Sequence, residues 1–406
     1  MMGRWKKNTS NVHPIPARHN VPTGLAPSTN VTDDGCCTYT YCDCVCMGWG
    51  DPHFSTFDGT YYSHMGNCTY VLVEERYIEL DFAVYVTNYN CGRDVACPRS
   101  IIVVYKSKEV NVTVPDKNDL AVKLVTVNDR VVSLPYYDLD LFVEKYYVDV
   151  IVTVPHLNAT VYFDGITFAI YLPHEYFFNN TQGQCGTCTQ NKTDDCLLRN
   201  GSVVEDCNAL GPDWVTNKTD HCDEHLPKPI PDCDDSKMCD IVYDAVFYPC
   251  LNIIDSSTFY NTCKYDACYS NHTACSSLKV LADSCNAIGF CIDWRHLTKG
   301  ECDYECNEER VYLPCGNDSQ YCYNKVLRLW KSYTIKNMNT PQEGCYCPSG
   351  TIPLNPEYPD FCTDNCTCEM VTPQHFTTIM HTFKSTNKSH YNNAQLLISP
   401  TNLTKI

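Results

Sequence analysis

The sequence predicts a mainly β chain, an antiparallel β-sandwich followed by small disulfide-rich modules, and three observations predict it. Short runs rich in Val, Ile, Tyr, Phe and Thr recur from Cys68 to Pro173. Cysteine is spread unevenly: five lie between Cys36 and Cys46, none between Cys97 and Cys185, and twenty-two between Cys185 and Cys368. Beyond Cys222 apolar residues fall at three- and four-residue intervals instead of alternating. A long stretch without cysteine must stand on its own apolar core, whereas the dense region reads as small units that need staples.

Taken in order, residues 1–35 are rich in Pro and Gly, poor in apolar side chains, and read as a disordered linker. A cysteine-rich lead-in occupies 36–46. The β runs are TYVLVEE, LDFAVYVTNY, SIIVVYK, VNVTV, LAVKLVTVN, LFVEKYYVDVIVTV and ATVYFDGITFAIYL. Turn formers such as Pro115-Asp116, Asn128-Asp129 and Asp164-Gly165 separate them. Period-two alternation in β-branched runs at short spacing predicts a sandwich, with no long helix in this part. Further on, Ile241, Ala245 and Phe247, and then Leu278, Leu281 and Ala282, predict short amphipathic helices tied by cysteines. After Glu369 there is neither a cysteine nor an acidic residue, and 370–406 read as a disordered or mis-joined tail.

The thirty cysteines among 406 residues fit either zinc sites or disulfides. Fourteen Asn-x-Ser/Thr acceptors, among them Asn67, Asn111, Asn158, Asn179, Asn217, Asn271, Asn317 and Asn365, exceed chance and favour the secretory route and disulfides. The first twenty residues are basic but carry no apolar signal core, so the chain reads as a piece of a longer secreted protein or an incomplete gene model. No segment is apolar for long enough to span a membrane. A formal net charge of -18 argues against nucleic acid and anionic membranes as partners.

The string GWGDPHFSTFDGTYYSHMGNCTYVL, from Gly48 to Leu72, and the later Cys185-Gly-Thr-Cys188 resemble the two ends of a von Willebrand factor type D domain. The likeness is nearest to the D domain that follows the glycosylated repeats of gel-forming mucins. It implies a type D domain over 36–222, with its sandwich at about 47–190. The cysteines Cys239, Cys250, Cys263, Cys268, Cys275, Cys285, Cys291 and Cys302, with IDWR at Ile292 to Arg295, resemble a C8 module over 233–302. The cysteines from Cys306 to Cys368, with CYCPSGT, resemble a loop-rich trypsin-inhibitor-like module over 306–368.

Three places invite chemistry. In Gly-Asp-Pro-His the Asp51 side chain can attack its own backbone carbonyl and expel the Pro52 nitrogen, provided that nitrogen receives a proton, a role His53 can fill near pH 6. The resemblance adds that some gel-forming mucins are cut there at mildly acidic pH. The plainer reading is a turn entering the first strand, with Trp49 and His53 packed beside it. Cys185 and Cys188 have oxidoreductase spacing, but their flanks FFNNTQGQ and TQNKTDDC read as loops, which favours structural half-cystines. The resemblance further implies a calcium site of Asp58, Asn191, Asp194 and Asp195, hard oxygens for a hard cation; Gln190 and Lys192 depart from its pattern.

No Ser-His-Asp order, phosphate loop or zinc protease signature is present, so no enzyme is expected. The expected function is an extracellular structural and assembly module of a mucin-like or von Willebrand factor-like glycoprotein. Its partners would be other copies or domains of the parent polymer, disulfide linkage between them being open. The alternative is a serine protease inhibitor acting through the trypsin-inhibitor-like module. The spacer between Cys322 and Cys345, which carries KVLRLWKSYTIK, is long for a clamped inhibitory loop.

Overall fold

The computed structural model describes residues 28–31, 38–50, 52–91, 96–116, 119–120, 122–146, 148–217, 222, 224–225, 234–268, 271–307, 309–317, 341–355 and 358–364. Two antiparallel sheets form the first half. One is a meander in which Thr69–Glu74, Phe82–Asn90, Ala96–Tyr105, Lys108–Thr113, Leu124–Val127 and Arg130–Val131 each pair with the next. The other runs in the order Tyr136–Tyr137, Phe142–Tyr146, Asp149–Val154, Ala159–Phe163, Phe168–Leu172, Cys44–Trp49, His53–Ser55 and Tyr61–Ser63. Val84, Ile101 and Val103 from the first sheet share one core with Val152, Val161 and Ile170 from the second. The chain is therefore mainly β and sandwiched, and the runs LFVEKYYVDVIVTV and ATVYFDGITFAIYL each fold back into a hairpin.

Turn chemistry sets those hairpins. Val127 pairs with Arg130, leaving Asn128 and Asp129 as a two-residue turn with φ of 47° and 62°, the left-handed values that such tight turns demand. Asp164 accepts the N–H groups of Ile166 and Thr167 at 2.9 and 2.6 Å and closes the turn between Ala159–Phe163 and Phe168–Leu172.

The seam between Phe168–Leu172 and Cys44–Trp49 joins the end of the sandwich to its beginning, with Leu172 opposite Cys44 and Phe168 opposite Gly48. The Phe168 ring fills the space that a Cβ on Gly48 would need. All six residues of Cys44–Trp49 are buried. Side chains alternate across a strand, so Cys44 and Cys46 enter the sandwich core while Val45, Met47 and Trp49 enter a second core on the outer face.

That second core belongs to the helical region. A 3-10 segment, Asp234–Tyr243, precedes helices Ser256–Ala267 and Asn271–Ala287. Asp255 starts the first of these by accepting the Ser257 N–H at 3.0 Å. Val242, Phe247, Phe259, Leu278 and Leu281 face inward, and Cys239–Cys263, Cys250–Cys285 and Cys275–Cys302 staple the region.

The C-terminal part holds two ribbons, Val311–Gly316 with Gln342–Tyr346 and Ile352–Asn355 with Tyr358–Thr363. Cys306–Cys345 and Cys347–Cys362 staple them. Cys291–Cys315 crosses the boundary placed between 302 and 306, and Arg295 reaches across it to both carboxylate oxygens of Glu343, at 2.9 and 2.7 Å. The helical and ribbon regions are thus bound to each other, not merely consecutive.

One expectation needs correction. Ser28–Val31, inside the segment read as a disordered linker, forms a strand paired with Thr38–Tyr41. The runs STNV and TYTY carry Thr, Val and Tyr, residue types that favour strands, and the Pro and Gly content of the neighbourhood masked that signal. The tail 370–406 lies outside the described residues. Among the described residues no helix is long and apolar enough to cross a membrane.

Candidate functional site

Because the seam strand carries Cys44 and Cys46 on its inner face, the Cys185-Gly-Thr-Cys188 motif finds its partners there: Cys46 bonds Cys185 and Cys44 bonds Cys188. The two motif cysteines are buried and do not bond each other. A dithiol exchange centre needs an exposed thiolate and a neighbour to resolve it; neither feature is present in this arrangement. Cys68–Cys222 and Cys196–Cys207 are further bridges of the same domain. Cys42 is the free cysteine among the described residues, and burial together with the Asp43 charge pushes its thiol pKa up.

The loop after Cys188 wraps the Asp58 carboxylate. Asp58 is buried and accepts the backbone N–H groups of Thr189, Gln190 and Asn191 and the Thr189 hydroxyl, at 2.9 to 3.2 Å. Burial nevertheless pushes its pKa up, against the pull of those donors. Asp195 accepts the hydroxyls of Thr56 and Thr60 through Oδ2, while its Oδ1 is buried without a partner. Burial, with the charges of Asp58 and Asp194, lifts Asp195 to about 7 against the hydroxyl donor bonds that favour ionisation. Asp194 accepts the Thr187 hydroxyl at 2.9 Å and shares the one Thr189 hydroxyl proton, 2.8 Å away, with Asp58. The exposed Asn191 side chain is turned to Thr193, so this residue serves Asp58 through its backbone.

This donor set suits a hard cation in two respects: it is all oxygen, and Asp195 Oδ1 is an orphaned buried acceptor. Against that, both oxygens of Asp58 and Oδ1 of Asp194 are committed to protein donors. Among the described residues no group of three or more His, Cys, Asp or Glu side chains converges as a metal site.

Asp51 lies outside the described residues, but its neighbours are well placed. Trp49 pairs with His53 across the hairpin, so the connection is only three residues long, and Gly50 has φ +60°. A Cβ on Gly50 would run into the Asp266 carboxylate, which comes from the helix Ser256–Ala267. His53 is buried, its Nε2 lies 2.9 Å from Asp266 Oδ1, and its Nδ1 lies 2.6 Å from Ser63 Oγ. The Ser277 hydroxyl donates to Asp266 Oδ2 at 3.0 Å, and the Trp49 indole N–H donates to Ser277 at 3.1 Å. A cavity of about 220 Å³ beside them is lined by His53, Ser63, Tyr61 and Thr262, among others. Both ring nitrogens of the expected proton donor are thus engaged, by a serine ten residues on and an aspartate in the next domain. Sequence reasoning missed both. The available signal for Asp266 was its position seven residues after Phe259 and three after Cys263, an acid on the core-facing stripe of a helix.

Of the glycan acceptors, Asn158, Asn179, Asn217 and Asn317 are exposed, whereas Asn67 and Asn111 are half-buried and the Asn111 carbonyl accepts the Thr113 hydroxyl. The side chains of Asn271 and Asn365 lie outside the described residues.

Comparison with known proteins assigns the two domains. The family model of the von Willebrand factor type D domain matches residues 46–202, and that of the C8 domain matches 238–303. An intestinal mucin-like protein of Rattus norvegicus is 38% identical over 377 residues, covering 88% of this chain and 44% of that protein. Mucin-2 of Mus musculus is 36% identical over 375 residues, covering 87% of this chain and 8% of its own length. Mucin-5AC of Homo sapiens is 35% identical over 362 residues, covering 80% of this chain and 6% of its own. The chain therefore spans less than half the length of these relatives. Residues 46–202 are a von Willebrand factor type D domain and residues 238–303 a C8 domain, joined in a chain that is similar over most of its length to mucins.

Proposed function

We propose that this chain is an extracellular structural and assembly module of a mucin-like secreted glycoprotein, one that spaces and orders the polymer to which it belongs. The observation that carries this reading is the seam strand Cys44–Trp49, held to Cys185 and Cys188 on one face and packed into the C8 core on the other. The bridges, each contributing roughly 2–4 kcal/mol, fix the strand within the D domain, and its outer face, packed into the C8 core, joins the two domains into one stiff unit. Its partners are other copies or domains of the parent polymer. Residues 306–368 act in the same unit as a trypsin-inhibitor-like module used as a spacer. The relatives above lend nothing to the protease-inhibitor alternative, and most of the spacer from Cys322 to Cys345 lies outside the described residues. The test is the secreted protein in solution: limited proteolysis without reductant should leave the D and C8 domains together, and their separation into two folded fragments would contradict a single unit.

Two site readings belong to the same proposal. Calcium would be held by Asp58, Asp194 and Asp195, for which the partnerless Asp195 Oδ1 is the support; the cation would neutralise carboxylates that burial otherwise opposes. The Asp51–Pro52 bond would break in mild acid, with the placement of His53 between Ser63 and Asp266 as the support. Intact mass after deglycosylation and incubation at pH 5.5 and 7.5 tests it: a fragment beginning at Pro52 at pH 5.5 is expected, and a single uncut chain at both values would contradict it.

A further inference from the structure

We propose that Ser63, His53 and Asp266 form a serine-hydrolase relay where the D and C8 domains meet, one that hydrolyses a short-chain acyl ester held in the cavity beside them. It is an activity added to the structural module, and none of its steps uses the neighbouring turn.

Strand alternation assembles the three residues. In Tyr61–Ser63 the middle side chain, Tyr62, enters the sandwich core, so Tyr61 and Ser63 face the other way, toward the C8 core that Tyr61 packs against. Ser63 pairs with His53 across the hairpin, which puts both side chains on that face, while Phe54 turns back into the sandwich. Helix Ser256–Ala267 then lays Asp266 against His53. A relay of this type is recognised by geometry and not by chain order.

The hydrogen positions follow from the chemistry of the groups. Asp266 is fully buried, and its Oδ2 accepts the Ser277 hydroxyl at 3.0 Å, which fixes the carboxylate. A carboxylate can only accept, so His53 Nε2, 2.9 Å from Asp266 Oδ1, carries the ring hydrogen. Nδ1 of the neutral ring is left as an acceptor, and the Ser63 hydroxyl, 2.6 Å away, donates to it. The serine thus has a base on its proton, and the base has a buried carboxylate that orients it and stabilises it once protonated. The ring nitrogens serve in the reverse of their usual order, which leaves the proton transfer unchanged.

A serine with a purely structural role could be sealed in. Ser63 is instead half-buried and lines a cavity of about 220 Å³ that has Trp49 and Tyr61 in its wall and the exposed Asn261 among its lining residues. Aromatic walls of that size suit a short acyl group and are too confined for a polypeptide segment. The Asn261 amide is the N–H donor at hand for a carbonyl oxygen that gains charge.

Ser63 Oγ bonds to the ester carbonyl carbon as its proton passes to Nδ1, and the carbonyl electron pair moves onto oxygen. The pair returns, the bond from carbon to the alcohol oxygen breaks, and the leaving alkoxide takes the proton from Nδ1. Free alcohol and an acyl ester of Ser63 result. Water then attacks that ester with His53 again as base, releasing the carboxylic acid and restoring the Ser63 hydroxyl. Ser63 and His53 are the catalytic residues, and Asp266 is a positioning residue that acts through His53.

The experiment treats the full secreted chain at pH 7.5 with a fluorophosphonate, which phosphonylates an activated serine, and assays turnover of p-nitrophenyl acetate. Wild type, Ser63→Ala, Asp266→Asn and Asp266→Glu are compared, with melting curves to show that each is folded. Peptide mapping should find the phosphonyl group on Ser63, and Ser63→Ala should lose both label and turnover. Asp266→Asn should lower kcat at least about a hundredfold with KM little changed, and Asp266→Glu should recover part of the loss. Should Asp266→Asn fail to fold, labelling of the wild type and turnover by Ser63→Ala decide, since Ser63 is half-buried and its change removes one oxygen. A wild type that is unlabelled at Ser63, or a folded Ser63→Ala that turns over the ester at the wild-type rate, overturns the relay. A folded Asp266→Asn with the wild-type kcat overturns the part given to Asp266.

Discussion

Trp49 and Phe259 lie stacked, ring centroids 5.8 Å apart, one from the seam strand of the D domain and the other from the first long helix of the C8 domain. Both are fully buried, and the Trp49 indole also donates to Ser277. Truncating an aromatic ring in such a core typically costs about 3–5 kcal/mol. Trp49→Ala should therefore lower the melting temperature and split one calorimetric transition into two, as the C8 domain melts apart from the sandwich. A single transition at the wild-type temperature would mean that the two domains do not share a core.

His64 reports on acid stability. It is buried against Tyr70 and Gly211, its Nε2 lacks a partner, and burial lowers its pKa from 6.5 to about 4. A histidine whose folded pKa is depressed stabilises the fold above its unfolded value, and that contribution is lost as pH falls from about 6.5 toward 4, on the order of 3 kcal/mol in all. The urea midpoint should fall between pH 7 and 4.5, and His64→Leu should show a smaller fall than the wild type. Equal falls in the two proteins would remove His64 from the acid response.

Asp195 has the opposite sign. Its folded pKa, about 7, stands above the usual 3.8, so protonation stabilises the fold at low pH and that contribution fades as pH rises through 7. A bound cation would supply the missing counter-charge. The rise in melting temperature on replacing chelator with calcium should accordingly be larger at pH 8 than at pH 5. No rise at either pH would count against calcium.

Much of the sandwich was legible because alternation is a local signal: Val110, Val112, Val150, Val152 and Val154 all lie where period two puts them. The strand Cys44–Trp49 was not, because a strand buried on both faces loses its alternation and reads as an undivided apolar run. Site geometry was legible only where its parts are neighbours. The link from His53 to Asp266 spans 213 residues, and no spacing rule reaches that far. Cysteine number was plain, but pairing was not, since eight cysteines alone permit 105 arrangements.

The central claim is that the cysteine pair of the D domain is a structural staple locking the end of the sandwich to its first strand. Peptide mapping of the secreted, non-reduced chain after alkylation tests it most directly. Cys46 linked to Cys185 and Cys44 linked to Cys188 are expected, with Cys42 alkylated. Cys185 linked to Cys188, or alkylation of either, would contradict it.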